Sequence, residues 1–214
     1  MFKTEQENFW AGNFGDEYIE RNYYEKSLIA ANIALFSKII SNCNQNIEST
    51  IEFGSNIGLN LLALKTILPQ LKIVDAIEIN NKAVSILKET VCPTNVFNQS
   101  ILDFVSKDTY DFVFIKGVLI HLCPDMLSTI YEKLYNASKK YICIVEYYNP
   151  SPVEVNYRGN QGKLFKRDFA GEMLDKFTDL KLASYGFSYH RDTKFPQDDL
   201  TWFLLEKQND YSNL

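Results

Sequence analysis

Histidine is scarce in this 214-residue sequence, with His121 and His190 the two examples. The four cysteines, Cys43, Cys92, Cys123 and Cys143, include no Cys-x-x-Cys pair. These shortages argue against a structural zinc site and against a disulfide framework. No run of about 18 apolar residues occurs, so no membrane span is expected. Residues 1–7 lack the apolar core of a signal peptide, and a cytoplasmic protein is the expectation. Basic residues are outnumbered. The net charge of −5 argues against a general nucleic-acid binder.

What remains is an ordinary globular composition, 46% hydrophobic and 23% charged. The length fits one domain over 1–214 that buries a real core. Leu28, Ile29, Ile33, Leu35, Phe36, Ile39 and Ile40 recur at helical spacing and predict a helix over 25–42. Residues 50–54 and 72–78 read as strands. Residues 57–68 and 81–90 read as helices that stop before Pro69 and Pro93. A short strand follows at 96–98, then a continuously apolar strand at 110–115 of the kind buried in parallel sheets. A helix at 124–138 carries Pro124 in its first turn, and 141–146 is a further strand. This alternation predicts a doubly wound α/β sheet. The pattern then breaks at Asn149-Pro150-Ser151-Pro152. Residues 147–168 read as a long loop on the substrate side. A helix at 169–177 precedes strands at 180–189 and 201–206. With no helix between them, these read as an antiparallel hairpin at the sheet edge.

The chemistry concentrates where strands end. Thr50 to Asn60 is a strand ending in an acid, a Gly-x-Asn-x-Gly turn and the start of a helix. Gly54 and Gly58 let the backbone approach a ligand, and the helix N-terminus adds partial positive charge. Asn56 stands where a middle glycine is commoner, and Asn tolerates positive φ. Glu78 ends the next strand, 24 positions after Gly54. A carboxylate there can accept hydrogen bonds from ribose hydroxyls. Glu52 beside the loop would repel a pyrophosphate and attract an ammonium. The pair therefore favours S-adenosylmethionine over a dinucleotide, and a dinucleotide oxidoreductase is a distant alternative.

Gln99 to Asp103 forms a turn that could hold an adenine edge, with Ile101 packed on the ring. Lys116-Gly117 follows the fourth strand, and His121 lies just beyond, where a methyl acceptor would dock. His121 reads as a general base with an ordinary pKa near 6.5. Glu146, Tyr147 and Tyr148 end the fifth strand and face the same crevice. Arg158, Lys163, His190, Arg191, Asp198 and Asp199 lie in flanking loops, where basic groups could bind a carboxylate or phosphate on the acceptor.

The loop and strand pattern resembles class I S-adenosylmethionine-dependent methyltransferases over roughly residues 30–206. Two segments resemble a narrower group. Residues 4–22, from Thr4 through Phe9-Trp10, Phe14-Gly15-Asp16 and Tyr18 to Asn22, look like the opening of the pseudaminic acid biosynthesis-associated methylase family. Residues 185–192 and 195–206, ending Thr201-Trp202-Phe203-Leu204-Leu205-Glu206, look like its close. The resemblance implies a seven-stranded sheet with an antiparallel last strand, and S-adenosylmethionine as cofactor. It also implies a bacterial role near nonulosonic acid sugars of flagella or surface glycans.

Carried onto this sequence, Glu52, Gly54, Ser55, Asn56 and Gly58 would hold the methionine end, and Glu78 with Ile79 the ribose. Ser100 and Ile101 would flank adenine, and Lys116 with Gly117 would contact the methionine part. Residues 1–24 would form a lid in which Trp10 and Tyr18 exclude water. His121 and Tyr147 are the catalytic candidates. Glu146, Tyr148, Arg158, His190 and Asp198 are the candidates for binding a sugar or nucleotide-sugar. A protein methyltransferase acting on flagellin, and a non-catalytic cofactor-binding partner of a sugar pathway, remain open alternatives.

Overall fold

In the computed structural model, which describes residues 2–21 and 25–208, the chain begins with two short helices, α1 (Glu5–Ala11) and α2 (Asn13–Arg21). Thr4 starts α1 with a capping box. Its hydroxyl accepts the Glu7 N–H at 3.1 Å, and the Glu7 carboxylate accepts the Thr4 N–H at 2.8 Å. Helix α3 (Lys26–Ile40) leads into β1 (Ser49–Phe53), α4 (Leu59–Ile67), β2 (Ile73–Glu78), α5 (Asn81–Val91), β3 (Asn95–Asn98) and β4 (Tyr110–Lys116). Then come α6 (Leu127–Ala137), β5 (Ser138–Glu146), β6 (Val153–Glu154), β7 (Phe165–Lys166), α7 (Phe169–Lys176), β8 (Leu180–Phe187) and β9 (Thr201–Lys207).

Seven of these strands form one sheet in the order β3-β2-β1-β4-β5-β9-β8. The first five run parallel, and β9 runs antiparallel between β5 and β8. Phe53 lies level with Ile77 on one side and Ile115 on the other, so β1, β2 and β4 end along a common edge. Alternate side chains feed two cores. Phe36, Leu61, Leu64, Phe112 and Phe114 pack beneath α3 and α4. Val113, Ile115, Ile130, Ile144 and Met173 pack beneath α6 and α7. Burial on both faces is what makes the central strands read as unbroken apolar runs.

The predicted order of elements and the antiparallel closing pair are present. The differences are local. The helix expected from Pro124 opens as a 3-10 turn over Pro124–Met126 before α6. Strand β5 starts at Ser138, three residues early, where its register with β4 shifts between Tyr110 and Phe112. The 147–168 loop contains the two-residue hairpin β6–β7. The 1–24 segment expected to act as a lid is helical over Glu5–Ala11 and Asn13–Arg21, and its residues 1 and 22–24 lie outside the described residues. No helix among the described residues is long and apolar enough to cross a membrane.

Candidate functional site

Strands β1, β2 and β4 end in a cleft of about 570 Å³. That is a size typical of small-ligand and cofactor sites. The loop after β1 forms its floor. Gly54, Asn56 and Gly58 all take positive φ, at 79°, 45° and 84°. Asn56 thus holds the left-handed turn expected of it. A Cβ on Gly54 would stand 2.6 Å from Val118 Cγ2, so the position excludes any side chain on packing grounds as well. Strand β2 ties the loop down: its Ile77 carbonyl accepts the N–H groups of Gly54 and Ser55 at 2.9 and 3.0 Å.

Glu78, at the tip of β2, is buried and lines the cleft. One carboxylate oxygen accepts the Asn56 N–H and the other the Asn80 N–H, both at 2.7 Å. Burial raises its pKa, and these N–H groups oppose the shift. Each oxygen retains a lone-pair direction for a ligand hydroxyl.

Glu52 sits deeper than the sequence suggests. It is fully buried behind the loop and does not line the cleft. Its Oε1 accepts the Asn60 amide at 2.7 Å, and Oε2 has no partner. Burial lifts its pKa to about 8, against the opposing pull of Asn60 and the Lys116 charge. Without ligand it is therefore mostly protonated at neutral pH, a correction to the charged group expected. Lys116 does line the cleft, and its Nζ donates to Asn32 Oδ1 at 3.2 Å. Burial lowers its pKa, and the charges of Glu52, Asp198 and Glu146 counter that.

His121 is buried in a short 3-10 turn after β4. Its Nδ1 donates to the Lys163 carbonyl at 2.6 Å, which leaves Nε2 as the unprotonated nitrogen. Burial pulls its pKa down to about 4, well below the ordinary value expected from sequence. His121 packs against Trp10, with ring centroids 4.7 Å apart, and against Tyr157 at 4.8 Å.

Helix α1 lies across this part of the cleft. Trp10 meets Tyr18 edge-on at 5.2 Å, and both line the cavity. Gln6 donates to the Gly162 carbonyl at 2.9 Å, and Lys163 pairs with Glu5 at 3.1 Å. The α1 segment and the 147–168 loop are thus joined to each other beside the cleft. Asn80 supports them from below, donating to the Trp10 carbonyl at 3.3 Å and to Asp16 at 2.8 Å.

Of the other expected residues, Ser55, Ile79, Ser100, Ile101, Gly117, Tyr147, His190 and Asp198 line the cleft. Tyr147 has its hydroxyl pKa raised by burial and by Asp198, to which it is hydrogen-bonded. His190 is exposed and binds Asp199 at 2.8 Å. Three expected substrate residues are not brought to the cleft. Glu146 is buried, and its Oε1 accepts the Val118 and Leu119 N–H groups at 2.9 and 2.8 Å. It positions the turn that bears His121. Tyr148 is exposed, 5.9 Å from Phe203 by ring centroid, and Arg158 is exposed above the Tyr157 ring.

Sequence reasoning missed Glu7, Asn60, Asn80 and Tyr157, all of which line the cleft. One signal was available: Thr4-Glu5-Gln6-Glu7 is the Thr-x-x-Glu capping pattern, which marks a helix and fixes Glu7.

The sheet order and the cleft at its edge define the fold of class I S-adenosylmethionine-dependent methyltransferases, as structural comparison bears out. An S-adenosylmethionine-dependent methyltransferase from Leishmania major superposes with a TM-score of 0.71 at 15% identity, covering 94% of this chain and 81% of that one. The plantazolicin methyltransferase BpumL, in complex with S-adenosylhomocysteine, gives 0.66 at 17% identity, covering 95% and 94%. Magnesium protoporphyrin IX methyltransferase from Synechocystis, also with S-adenosylhomocysteine, gives 0.69 at 13% identity, covering 97% and 100%. No protein-family model and no curated protein sequence matches the chain.

Proposed function

We propose that this protein is an S-adenosylmethionine-dependent methyltransferase acting on a small-molecule acceptor. The observation that carries the reading is Glu78, fixed by two backbone N–H groups beside a left-handed Gly-x-Asn-x-Gly loop at the strand ends. Glu78 would take the ribose hydroxyls. The loop of Gly54 to Gly58 and Lys116 would hold the amino-acid end, with Lys116 suited to its carboxylate. Glu52 lies behind that loop, where its carboxyl accepts the Asn60 amide and so supports the loop and not the ligand directly. Ser100 and Ile101 would flank the base. When bound, the cofactor supplies an electrophilic methyl on a sulfonium, which is already an excellent leaving group.

The protein's task is then mainly orientation, worth about 7–11 kcal/mol where geometry is well set. His121 offers an unprotonated Nε2 at neutral pH, held by Lys163 and flanked by Trp10 and Tyr157. With a pKa of about 4 it accepts a hydrogen bond and orients a hydroxyl better than it removes a proton outright. Trp10 and Tyr157 exclude water from that side.

The acceptor in this reading is a sugar, methylated on oxygen or nitrogen. A pseudaminic or legionaminic acid derivative or precursor, free or nucleotide-activated, is the substrate class implied by residues 4–22 and 185–206. Calorimetric titration with S-adenosylhomocysteine tests the cofactor, and absence of binding sinks the enzyme reading. Mass spectrometry of nonulosonic acids and their activated forms, incubated with protein and cofactor, tests the acceptor. A gain of one methylene, located by fragmentation, names the atom; no gain on any of them removes the sugar.

A further inference from the structure

Ser100 cannot serve the base as freely as its place in the turn implies. Its hydroxyl accepts the Leu102 N–H at 3.0 Å and donates to Glu7, so its polar capacity is largely spent inside the protein. The carboxylate it holds is the notable group. Glu7 comes from α1, about ninety residues away in sequence, yet is buried at 5% exposure and lines the cleft with Gln99, Ser100, Ile101 and Leu102. Its Oε2 accepts the Lys3 and Thr4 N–H groups at 2.6 and 2.8 Å, which locks the side chain. Its Oε1 accepts the Ser100 hydroxyl and keeps a lone-pair direction. The nearby cation does not claim it, since Lys3 Nζ pairs with Asp103 instead.

We propose that Glu7 reads the 6-amino group of the cofactor's adenine, so that helix α1 is part of base recognition as well as a cover. The inference rests on the cofactor reading above. A rigid acceptor-only group beside the base edge distinguishes an exocyclic amine from a carbonyl, because the carbonyl would set lone pair against lone pair. Base recognition and seating of α1 then become one event: an adenine in place holds Glu7, and Glu7 holds the segment that carries Trp10.

The test is calorimetric binding of S-adenosylhomocysteine and of S-inosylhomocysteine, which carries a 6-carbonyl in place of the amine. The wild type should bind the adenine form at least about ten-fold more tightly. Glu7→Gln keeps the capping acceptor but adds an amide donor, so its preference should fall toward one or reverse. Glu7→Asp withdraws the carboxylate by one methylene and should also lose most of the preference. Melting curves of both variants establish that they are folded; should the Gln variant not fold, the Asp variant and the wild-type ratio decide. An unchanged ratio in a folded variant overturns the role of Glu7 while leaving the cofactor reading intact, and so does a wild type that binds both ligands equally. A wild type that binds neither ligand overturns both.

Discussion

Glu78 accepts the backbone N–H of Asn56 at 2.7 Å, joining the end of the second strand to the middle of the turn that follows the first. The bond explains how an asparagine with φ of 45° serves where glycine is commoner. The strand-end acid and the turn stabilise each other before any ligand arrives. Replacing Glu78 with Ala should therefore cost stability as well as binding. Two N–H groups, of Asn56 and Asn80, would lose their acceptor, for about 1–3 kcal/mol each if they stay dry. Denaturant titration and calorimetry with S-adenosylhomocysteine read the two losses separately, and loss of binding at full stability would contradict this coupling.

Gly54→Ala is expected to destabilise by about 1–3 kcal/mol, the usual strain of a disfavoured backbone region. The new Cβ would also press Val118, displacing the turn that carries His121. A matched Gly117→Ala variant separates strain from collision, since a Cβ there meets nothing within 4 Å. The Gly54 variant should melt lower.

Two of the buried acid–base groups, Glu52 and His121, predict opposite pH dependence. Glu52 has a folded pKa of about 8, above its unfolded value, so its contribution is complete in acid and lost as pH rises through 8. Glu52→Gln should remove that loss, and the variant should gain on wild type between pH 5 and 8.5 by a few kcal/mol. Urea midpoints at the two pH values check it. A constant difference would show that Glu52 titrates normally.

His121 works the other way. Its folded pKa of about 4 lies below the unfolded value, so its contribution is complete above about pH 6.5 and is lost as pH falls toward 4. The loss is roughly 3 kcal/mol, and His121→Gln should lack it. Turnover, if Nε2 orients the acceptor, should show no inflection from this group between pH 5 and 8. A fall centred near pH 6.5 that the Gln variant abolishes would contradict the lowered value.

Tyr157→Ala should loosen the cover. The ring touches Trp10, Phe14 and His121 from the 147–168 loop. Limited proteolysis should cut within residues 2–21 several-fold faster than in wild type, with S-adenosylhomocysteine protecting less well. An unchanged cleavage rate would mean that the Gln6–Gly162 and Glu5–Lys163 contacts suffice.

The fold was legible because strands buried on both faces leave continuous apolar runs, as in Tyr110 to Ile115, and because Pro69 and Pro93 mark helix ends. The placing of Glu78 and the glycine loop at the strand ends was legible because these residues are close in sequence to the elements that carry them. What did not read out was depth. Nothing local shows that Glu52 and Glu146 lie behind the cleft while Glu78 lies in it, because that depends on the loops laid over them. Nor does the sequence near His121 reveal its burial, which comes from Trp10 and Tyr157, distant residues on two other segments. Glu7 escaped for the same reason, although its capping pattern was visible.

Strand β9 enters the sheet between β5 and β8, and the loop before it delivers His190 and Asp198 to the same cleft that Glu7 and Trp10 line. Residues of α1 and of the loop before β9 therefore share one cavity. The five parallel strands do not complete the pocket by themselves, because the loop that carries His190 and Asp198 is anchored by β9. Binding competence should accordingly appear only when β9 has docked, and not grow strand by strand.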